Sequence, residues 1–252
     1  MKRRRAIVVV LASCLALGMG VSSRGQESGR VDLVYAEDFS SDPGYTSENE
    51  LYAFWDAAGG SYFACSLDVD SGNGYYMAYS PEFPAVRGDF TVAFDFAILA
   101  PDWGCYPGIV FQSTSGSSPD CRDGIEMAFM ANYTWSDHVI QKFRLKSQGG
   151  GELVSDDSPN VGEWYHFFIQ YHSASETVDW VVESVQYGTT LHEVIGASFP
   201  ISTDINRLYI GEITSPPDYG ESTAIRVDNI EISSGTSAVE QSTWGRIKSS
   251  YR

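Results

Sequence analysis

The sequence predicts an all-β fold, either a sandwich or a jelly roll. Apolar residues alternate with polar ones over short runs, which is the period of a β-strand. Glycine (24 residues) and aromatic residues (13%) are abundant, and stretches with helical spacing are almost absent. Glycine- and proline-rich turn sequences separate the runs. A dozen or more short strands of this kind are typical of a sandwich or jelly roll.

The clearest strands lie in the middle of the chain. Every second residue of 90–98 and of 165–171 is apolar or aromatic. Residues 177–185 continue the alternation, and the short polar link 173–176 predicts a hairpin between 164–172 and 177–185. Further strands are predicted at 33–39, 61–69, 75–80, 108–113, 124–131, 139–146, 152–155, 191–199, 208–213 and 224–233.

The first 23 residues have the pattern of a secretory signal peptide. Residues 2–5 are basic, 6–21 are apolar, and Ser22 and Ser23 follow. This pattern predicts export, to the medium or the cell surface, and it is too short for a membrane span. The spelling Leu11-Ala-Ser-Cys14 leaves open an alternative in which Cys14 is a lipoprotein cleavage site. The domain itself is predicted at 31–233.

The mature chain is strongly acidic. The formal charge is −17, and it becomes −21 when residues 2–5 are removed. A field of this sign disfavours nucleic acid and anionic membranes and favours divalent cations. There is no second long apolar run, so we expect a soluble protein without a membrane span, and a monomer.

The C-terminal end has a different composition. Residues 234–238 read as a linker, and residues 239–252 as a short basic amphipathic tail. Trp244, Ile247 and Tyr251 have helical spacing, and three basic residues lie between and after them: Arg246, Lys248 and Arg252.

The last predicted strand, 224–233, changes its alternation in the middle. Ile225 and Val227 share one parity, whereas Ile230 and Ile232 share the other. A regular strand has a period of two, so its apolar residues cannot change face. The pattern therefore predicts a β-bulge at Asp228-Asn229.

Three segments together resemble the concanavalin A-like lectin/glucanase superfamily, in its laminin-G-like bacterial form. They are Tyr35-Ala-Glu-Asp-Phe-Ser40, the segment from Gly162-Glu-Trp-Tyr to Thr177-Val-Asp-Trp180, and Val227-Asp-Asn-Ile230. The resemblance covers about 31–233. It implies a jelly-roll sandwich of two curved antiparallel sheets, whose first and last strands lie side by side.

The resemblance also implies a structural calcium ion between these end strands. It would bring Glu37 and Asp38 close to Asp228, and we expect Glu37 and Asp228, then Asp38, as ligands. Calcium binds six to eight oxygens, and a bulge frees backbone carbonyls from the ladder. The alternative is that Asp228 caps the bulge by accepting hydrogen bonds from backbone N–H groups.

Aromatic residues in two loops predict a carbohydrate-binding groove. Sugar rings stack on exposed aromatic rings, and acids and amides bind their hydroxyls. The alternative is that these rings pack beneath long loops. The predicted sugar-binding residues are Trp103, Tyr106, Asp123, Glu126, Asn132, Tyr133 and Trp135.

No complete catalytic or metal-binding motif occurs in the sequence. Glycan-cleaving relatives on this fold carry paired carboxylates on one strand, but here Glu126 has no partner on its face. The segment 68–79 resembles an EF-hand loop but lacks Gly at the sixth position and Glu at the twelfth. The four histidines have no metal-ligand spacing, and His166 and His172 are expected to face one side of a sheet.

Cysteine spacing predicts one disulfide bond. Cys105 and Cys121 flank a Gly/Ser/Pro-rich segment, and an oxidising compartment favours their pairing. Cys65 is expected in the core.

These features favour a secreted, non-catalytic module that recognises glycans or a cell-surface ligand and carries a structural calcium ion. Two other classes remain open: a glycan hydrolase or lyase with an unrecognised site, and a structural or adhesive surface protein.

Overall fold

The computed structural model describes residues 32–47, 53–66, 77–100, 107–113, 125–133, 140–147, 150–201, 204–212 and 223–235. All regular elements in this part of the chain are strands, and none of its segments is a helix that could cross a membrane. The strands are β1 (Asp32–Glu37), β2 (Thr46–Ser47), β3 (Ala53–Asp56), β4 (Ser61–Ser66), β5 (Met77–Tyr79), β6 (Phe90–Ala100), β7 (Pro107–Gln112), β8 (Ile125–Tyr133), β9 (Ile140–Ser147), β10 (Glu152–Val154), β11 (Trp164–His172), β12 (Thr177–Ser184), β13 (Thr190–Ser198), β14 (Arg207–Glu212) and β15 (Thr223–Ser234).

The strands form two antiparallel sheets. Sheet A has the order β13-β12-β11-β6-β15-β4-β3, with β1 also paired to β15. Sheet B has the order β10-β9-β8-β7-β14-β5-β2. Some neighbours follow one another in sequence, as in β11-β12-β13 and β7-β8-β9-β10, but the pairs β6-β11, β6-β15 and β7-β14 join distant segments, as in a jelly roll. The predicted all-β sandwich is confirmed.

Aromatic rings fill the space between the sheets. Phe94 and Phe167 stack with their centroids 4.9 Å apart, and Phe143 of sheet B meets Phe167 edge-on at 4.9 Å. Trp180, on the next strand, is fully buried. The inner residues of β6, β11 and β12 are therefore the ones that the alternating pattern predicts.

Two short strands lie outside the sequence prediction. Neither Thr46–Ser47 nor Ala53–Asp56 is long enough to show a period. They pair with β5 and β4, so tertiary pairing decides their conformation. The signal peptide, the tail and the Cys105–Cys121 pair lie outside the described residues and stay predictions. Residues 68–76 of the EF-hand-like segment also lie outside them, whereas 77–79 form β5.

The predicted bulge in the last strand is confirmed. The register between β15 and β6 shifts between Asp228 and Glu231, and Asn229 has a positive φ of 50°. Ile225, Val227, Ile230 and Ile232 are consequently all buried, although their parities differ. The predicted pairing of the first and last strands is also present, as β1 with β15.

Candidate functional site

The bulge lies where β15 changes its neighbour on one side. Residues Thr223 to Val227 pair with β4, and residues Ile230 to Ser234 pair with β1. Asp228 and Asn229 belong to neither of these registers. The bulge therefore lies at the junction of three strands, and Glu37 is directly beside it because Glu37 pairs with Ile230.

A tight turn follows β1 and fixes the two acidic residues at its end. Phe39 has a φ of 47°, and this left-handed conformation turns its ring into the core, where it is fully buried. Trp55 Nε1 donates to the Phe39 carbonyl oxygen at 2.9 Å. The Phe39 N–H donates to Glu37 Oε1 at 2.9 Å, and the Ser40 N–H donates to Asp38 Oδ1 at 3.0 Å.

Asp95 of β6 and its neighbour His166 lie on the other side of the bulge. Together with Glu37, Asp38 and Asp228 they form what we call the acidic cluster. Asp95 lies directly opposite Asp228 in the register. Its Oδ1 is 2.7 Å from His166 Nδ1, and its Oδ2 accepts a hydrogen bond from Asn229 Nδ2 at 2.8 Å. The Asn229 side chain thus binds Asp95 of the neighbouring strand, and this hydrogen bond holds Asn229 in its left-handed conformation.

The electrostatics show that negative charge is crowded at the bulge. Burial raises the pKa of Asp228 to about 6, and the charges of Asp95, Asp38 and Glu37 add to the rise. Burial also raises the pKa of Glu37. In contrast, hydrogen bonds from Ser40 lower the pKa of Asp38. Asp228 is therefore protonated up to a higher pH than an ordinary aspartate.

The structure brings the three predicted calcium ligands, Glu37, Asp38 and Asp228, to one place. Carboxylate oxygens are the donors that calcium prefers. In the described residues, however, no three or more His, Cys, Asp or Glu side chains are arranged to hold a metal ion. One oxygen each of Glu37, Asp38 and Asp228 accepts a backbone N–H, the last from Asn229 at 2.8 Å. The alternative reading of Asp228, as a cap of the bulge, describes this contact.

The predicted sugar-binding residues are distributed along sheet B and beyond it. Glu126 is near the start of β8, and Asn132 and Tyr133 are at its end, about 20 Å away along the strand. The structure does not describe the side chains of β8. Four predicted residues lie outside the described residues altogether: Trp103, Tyr106, Asp123 and Trp135.

The strand ends show where the intervening segments are attached. Pro107, at the start of β7, pairs with Glu212, and Gly108 pairs with Met130 near the end of β8. The segments 101–106, 134–139 and 213–222 therefore join sheet B at one end. Segment 67–76 joins there too, because Met77 pairs with Gly211. Segment 114–124, which contains Asp123, joins the opposite end.

Two residues of the acidic cluster were not among the predicted ligands. Asp95 is the one charged residue in the apolar strand 90–98, and this was the available signal. His166 was expected to face one side of a sheet, and it does so beside Asp95. Their closeness to Asp228 could not be read from the sequence, because it depends on the order of β11, β6 and β15.

Comparison with known proteins gives solved structures only: no family model matches the chain, and neither does a curated protein. A sialidase aligns with a TM-score of 0.54 and 15% identity over 80% of this chain, which corresponds to 18% of the sialidase. The acidic lectin of winged bean, solved with methyl-α-D-galactose, aligns with a TM-score of 0.52 and 13% identity over 83% of this chain and 100% of the lectin.

A third structure, the lectin UEA-II solved with galactose, aligns with a TM-score of 0.51 and 11% identity over 82% of this chain and 100% of the lectin. At these identities the likeness is one of fold. The two sheets, the pairing of the first and last strands, and these neighbours agree with the resemblance seen in the sequence. The chain has a concanavalin A-like jelly-roll fold.

Proposed function

We propose that this chain is an exported, non-catalytic recognition module that binds a glycan or a glycosylated cell-surface ligand. The main support is the extent of the structural likeness. The described sandwich aligns with the full length of two lectins that were solved with sugars, but with only 18% of the sialidase. The size of this domain is thus that of a whole lectin.

The proposed sugar-binding surface is the end of the sandwich where four segments join. Each of these segments contains Tyr or Trp together with Asp. Trp103 and Trp135 belong to two of them, which are attached to the adjacent strands β7 and β8. Aromatic rings and carboxylates are the side chains that bind sugar faces and hydroxyls.

A glycan array with the mature chain tests this proposal. We expect binding to at least one class of glycan, and loss of that binding in Trp103→Ala and Trp135→Ala. Tyr187→Ala is the matched control, because Tyr187 is an aromatic residue with 71% exposure on the β12–β13 turn. Absence of binding to every glycan would contradict the lectin function and favour a structural or adhesive role.

The second candidate function is a glycan-active enzyme, and the likeness to a sialidase favours it. Release of reducing sugar from mixed polysaccharides measures this activity. Loss of the release in Glu126→Gln, with binding retained, would replace the non-catalytic function by a catalytic one.

Calcium is part of the proposal as a structural ion. Glu37, Asp38 and Asp228 would hold it, and its charge would compensate their mutual repulsion. The Tm of metal-free protein at pH 7.5 is expected to rise by about 5–10 °C at a calcium concentration of about 100 times Kd. Asp228→Ala should remove the rise, whereas Asp157→Ala, in an exposed loop, should keep it. A Tm of the wild-type protein that calcium does not change would contradict a structural ion.

A further inference from the structure

The outer face of sheet A carries a short apolar strip with an acidic residue at each end. In the registers, Phe168 lies between Val181 on β12 and Ala93 on β6. Glu193 follows Val181 on β13, and Glu231 follows Ala93 on β15. The three apolar residues are partly exposed, and both glutamates are exposed. We call these five residues the outer strip.

More carboxylates surround the outer strip. Asp95 and Glu183 lie two residues along their strands on one side of it, and Asp179 lies on the other side. The eight strands of sheet A contain one Lys or Arg, which is Arg226, and nine acidic residues. Arg226 donates to Asp56 at 2.5 Å and to Ser61 at 2.8 Å, so its charge is already paired.

The strands of sheet B do not have this excess of acidic residues. Lys142, Arg144 and Lys146 lie on β9, and Arg207 lies on β14. A basic and apolar partner is therefore complementary to the outer face of sheet A and not to sheet B.

The C-terminal segment of this chain has the matching chemistry. In 239–252, Trp244, Ile247 and Tyr251 would share one face of a helix. Arg246, Lys248 and Arg252 lie between and after them, and Glu240 is the one acidic residue of the segment.

The segment begins close enough to reach the strip. The described chain ends at Gly235, whose N–H donates to the Asp89 carbonyl oxygen at 2.7 Å, at the beginning of β6. Residues 236–238 can span about 10 Å. A helix of 239–252 would be about 21 Å long. The outer strip crosses five strands at about 4.8 Å spacing, or about 19 Å, so a helix that lies across the strands covers it from end to end.

We propose that the C-terminal segment 239–252 docks on the outer strip of its own sheet A as an amphipathic helix. Trp244, Ile247 and Tyr251 pack on Phe168, Val181 and Ala93. The basic residues of the segment face the surrounding carboxylates. The docked segment shields the apolar strip from water, and release of the segment would expose it.

Limited proteolysis of the full mature chain by chymotrypsin tests this docking, because this protease cleaves after Trp244 and Tyr251. We expect both sites to be cut more slowly than in a synthetic peptide of residues 236–252. Glu193→Lys/Glu231→Lys should accelerate cleavage by about threefold or more, as should Arg246→Glu/Lys248→Glu, because each replaces attraction by repulsion. The four substitutions together should restore protection.

The matched control is Glu82→Lys. Glu82 is a half-exposed partner of Arg207 of sheet B, and its reversal should leave the rate unchanged. Thermal melts verify that every variant is folded. Cleavage of the wild-type segment at the rate of the free peptide would overturn the proposal, as would failure of the combined variant to restore protection. Protection that disappears on dilution would instead assign the strip to the segment of a second copy.

Discussion

At the scale of single residues, the bulge residues Asp228 and Asn229 have unusual environments. Asn229 has a left-handed backbone and binds Asp95. Asp228 shares a small region with Asp95, Asp38 and Glu37, and its pKa is raised to about 6. Both features follow from the position of the bulge. β15 pairs with β4 up to Val227 and with β1 from Ile230, so the two polar residues of the bulge lie where β4 and β1 end.

Because of Asp228, the stability of the metal-free protein should decrease as the pH rises. The folded-state pKa of Asp228, about 6, exceeds the ordinary value of 3.8, so the protonated form favours the folded state. This contribution is complete below about pH 4 and is lost as pH rises through about 6. Replacing Asp228 by Asn keeps the shape without the charge. The difference in Tm, Asp228→Asn minus wild type, should therefore grow between pH 4 and pH 7 in EDTA.

The control for this titration is Asp157→Asn, in an exposed loop. Its Tm should follow the wild-type curve at each pH. A Tm difference between Asp228→Asn and wild type that does not change with pH would contradict the crowding of charge at the bulge.

The left-handed conformation of Asn229 gives a second prediction. Val has a branched Cβ that this conformation disfavours by about 1–2 kcal/mol, whereas Gly adopts it without strain. Both substitutions lose the hydrogen bond to Asp95. Asn229→Val should therefore unfold about 1–2 kcal/mol more easily than Asn229→Gly in urea titrations, and equal stabilities would contradict the bulge geometry.

At the scale of the element, β11 shows how alternation separates two roles. Tyr165, Phe167 and Ile169 are buried between the sheets. His166 and Phe168 face outward and are partly exposed, and His166 contacts Asp95. The inner residues hold the sandwich together, whereas His166 belongs to the acidic cluster and Phe168 to the outer strip.

Substitutions of the adjacent residues Phe167 and Phe168 test this difference between the inner and outer faces of β11. Phe167→Ala should destabilise the domain by about 3–5 kcal/mol, because Phe167 stacks on Phe94 and meets Phe143 of the other sheet. Phe168→Ala should cost clearly less, since its ring is partly exposed. Urea unfolding of both variants measures the difference, and a larger loss for Phe168 would mean that the faces are reversed.

At the scale of the whole molecule, β15 connects the parts of sheet A. It pairs with β6 along one side, and with β4 and then β1 along the other. β6 and β15 are thus interior strands, whereas β10 and β2 are at the two edges of sheet B. Amide hydrogen exchange followed by mass spectrometry should show the slowest exchange in β6 and β15 and faster exchange in β10. Fast exchange throughout β15 would contradict its central place.

The pairing of the strands also determines which loops of the proposed sugar site lie at the same end of sheet B. Trp103, Tyr106 and Trp135 belong to segments that join one end of sheet B, but Asp123 belongs to a segment at the opposite end. The sequence showed only that these residues are near one another along the chain. The antiparallel pairing of β7 with β8 divides them into two groups.

The fold class, most strands and the bulge can be predicted from the amino-acid sequence, because they depend on local periodicity. The alternation of 90–98 and 165–171 specifies which side chains enter the core, and the phase change at Asp228 specifies one inserted residue. The resemblance to the concanavalin A-like superfamily added the pairing of β1 with β15.

Contacts between distant residues depend instead on how the strands are assembled. Thr46–Ser47 and Ala53–Asp56 are strands because β5 and β4 offer them partners. Asp95 and His166 reach Asp228 because β6 lies between β11 and β15. Periodicity describes the faces of one strand, but strand order is set by the packing of all strands around a common core, so the acidic cluster and the outer strip appear only when the sandwich is assembled.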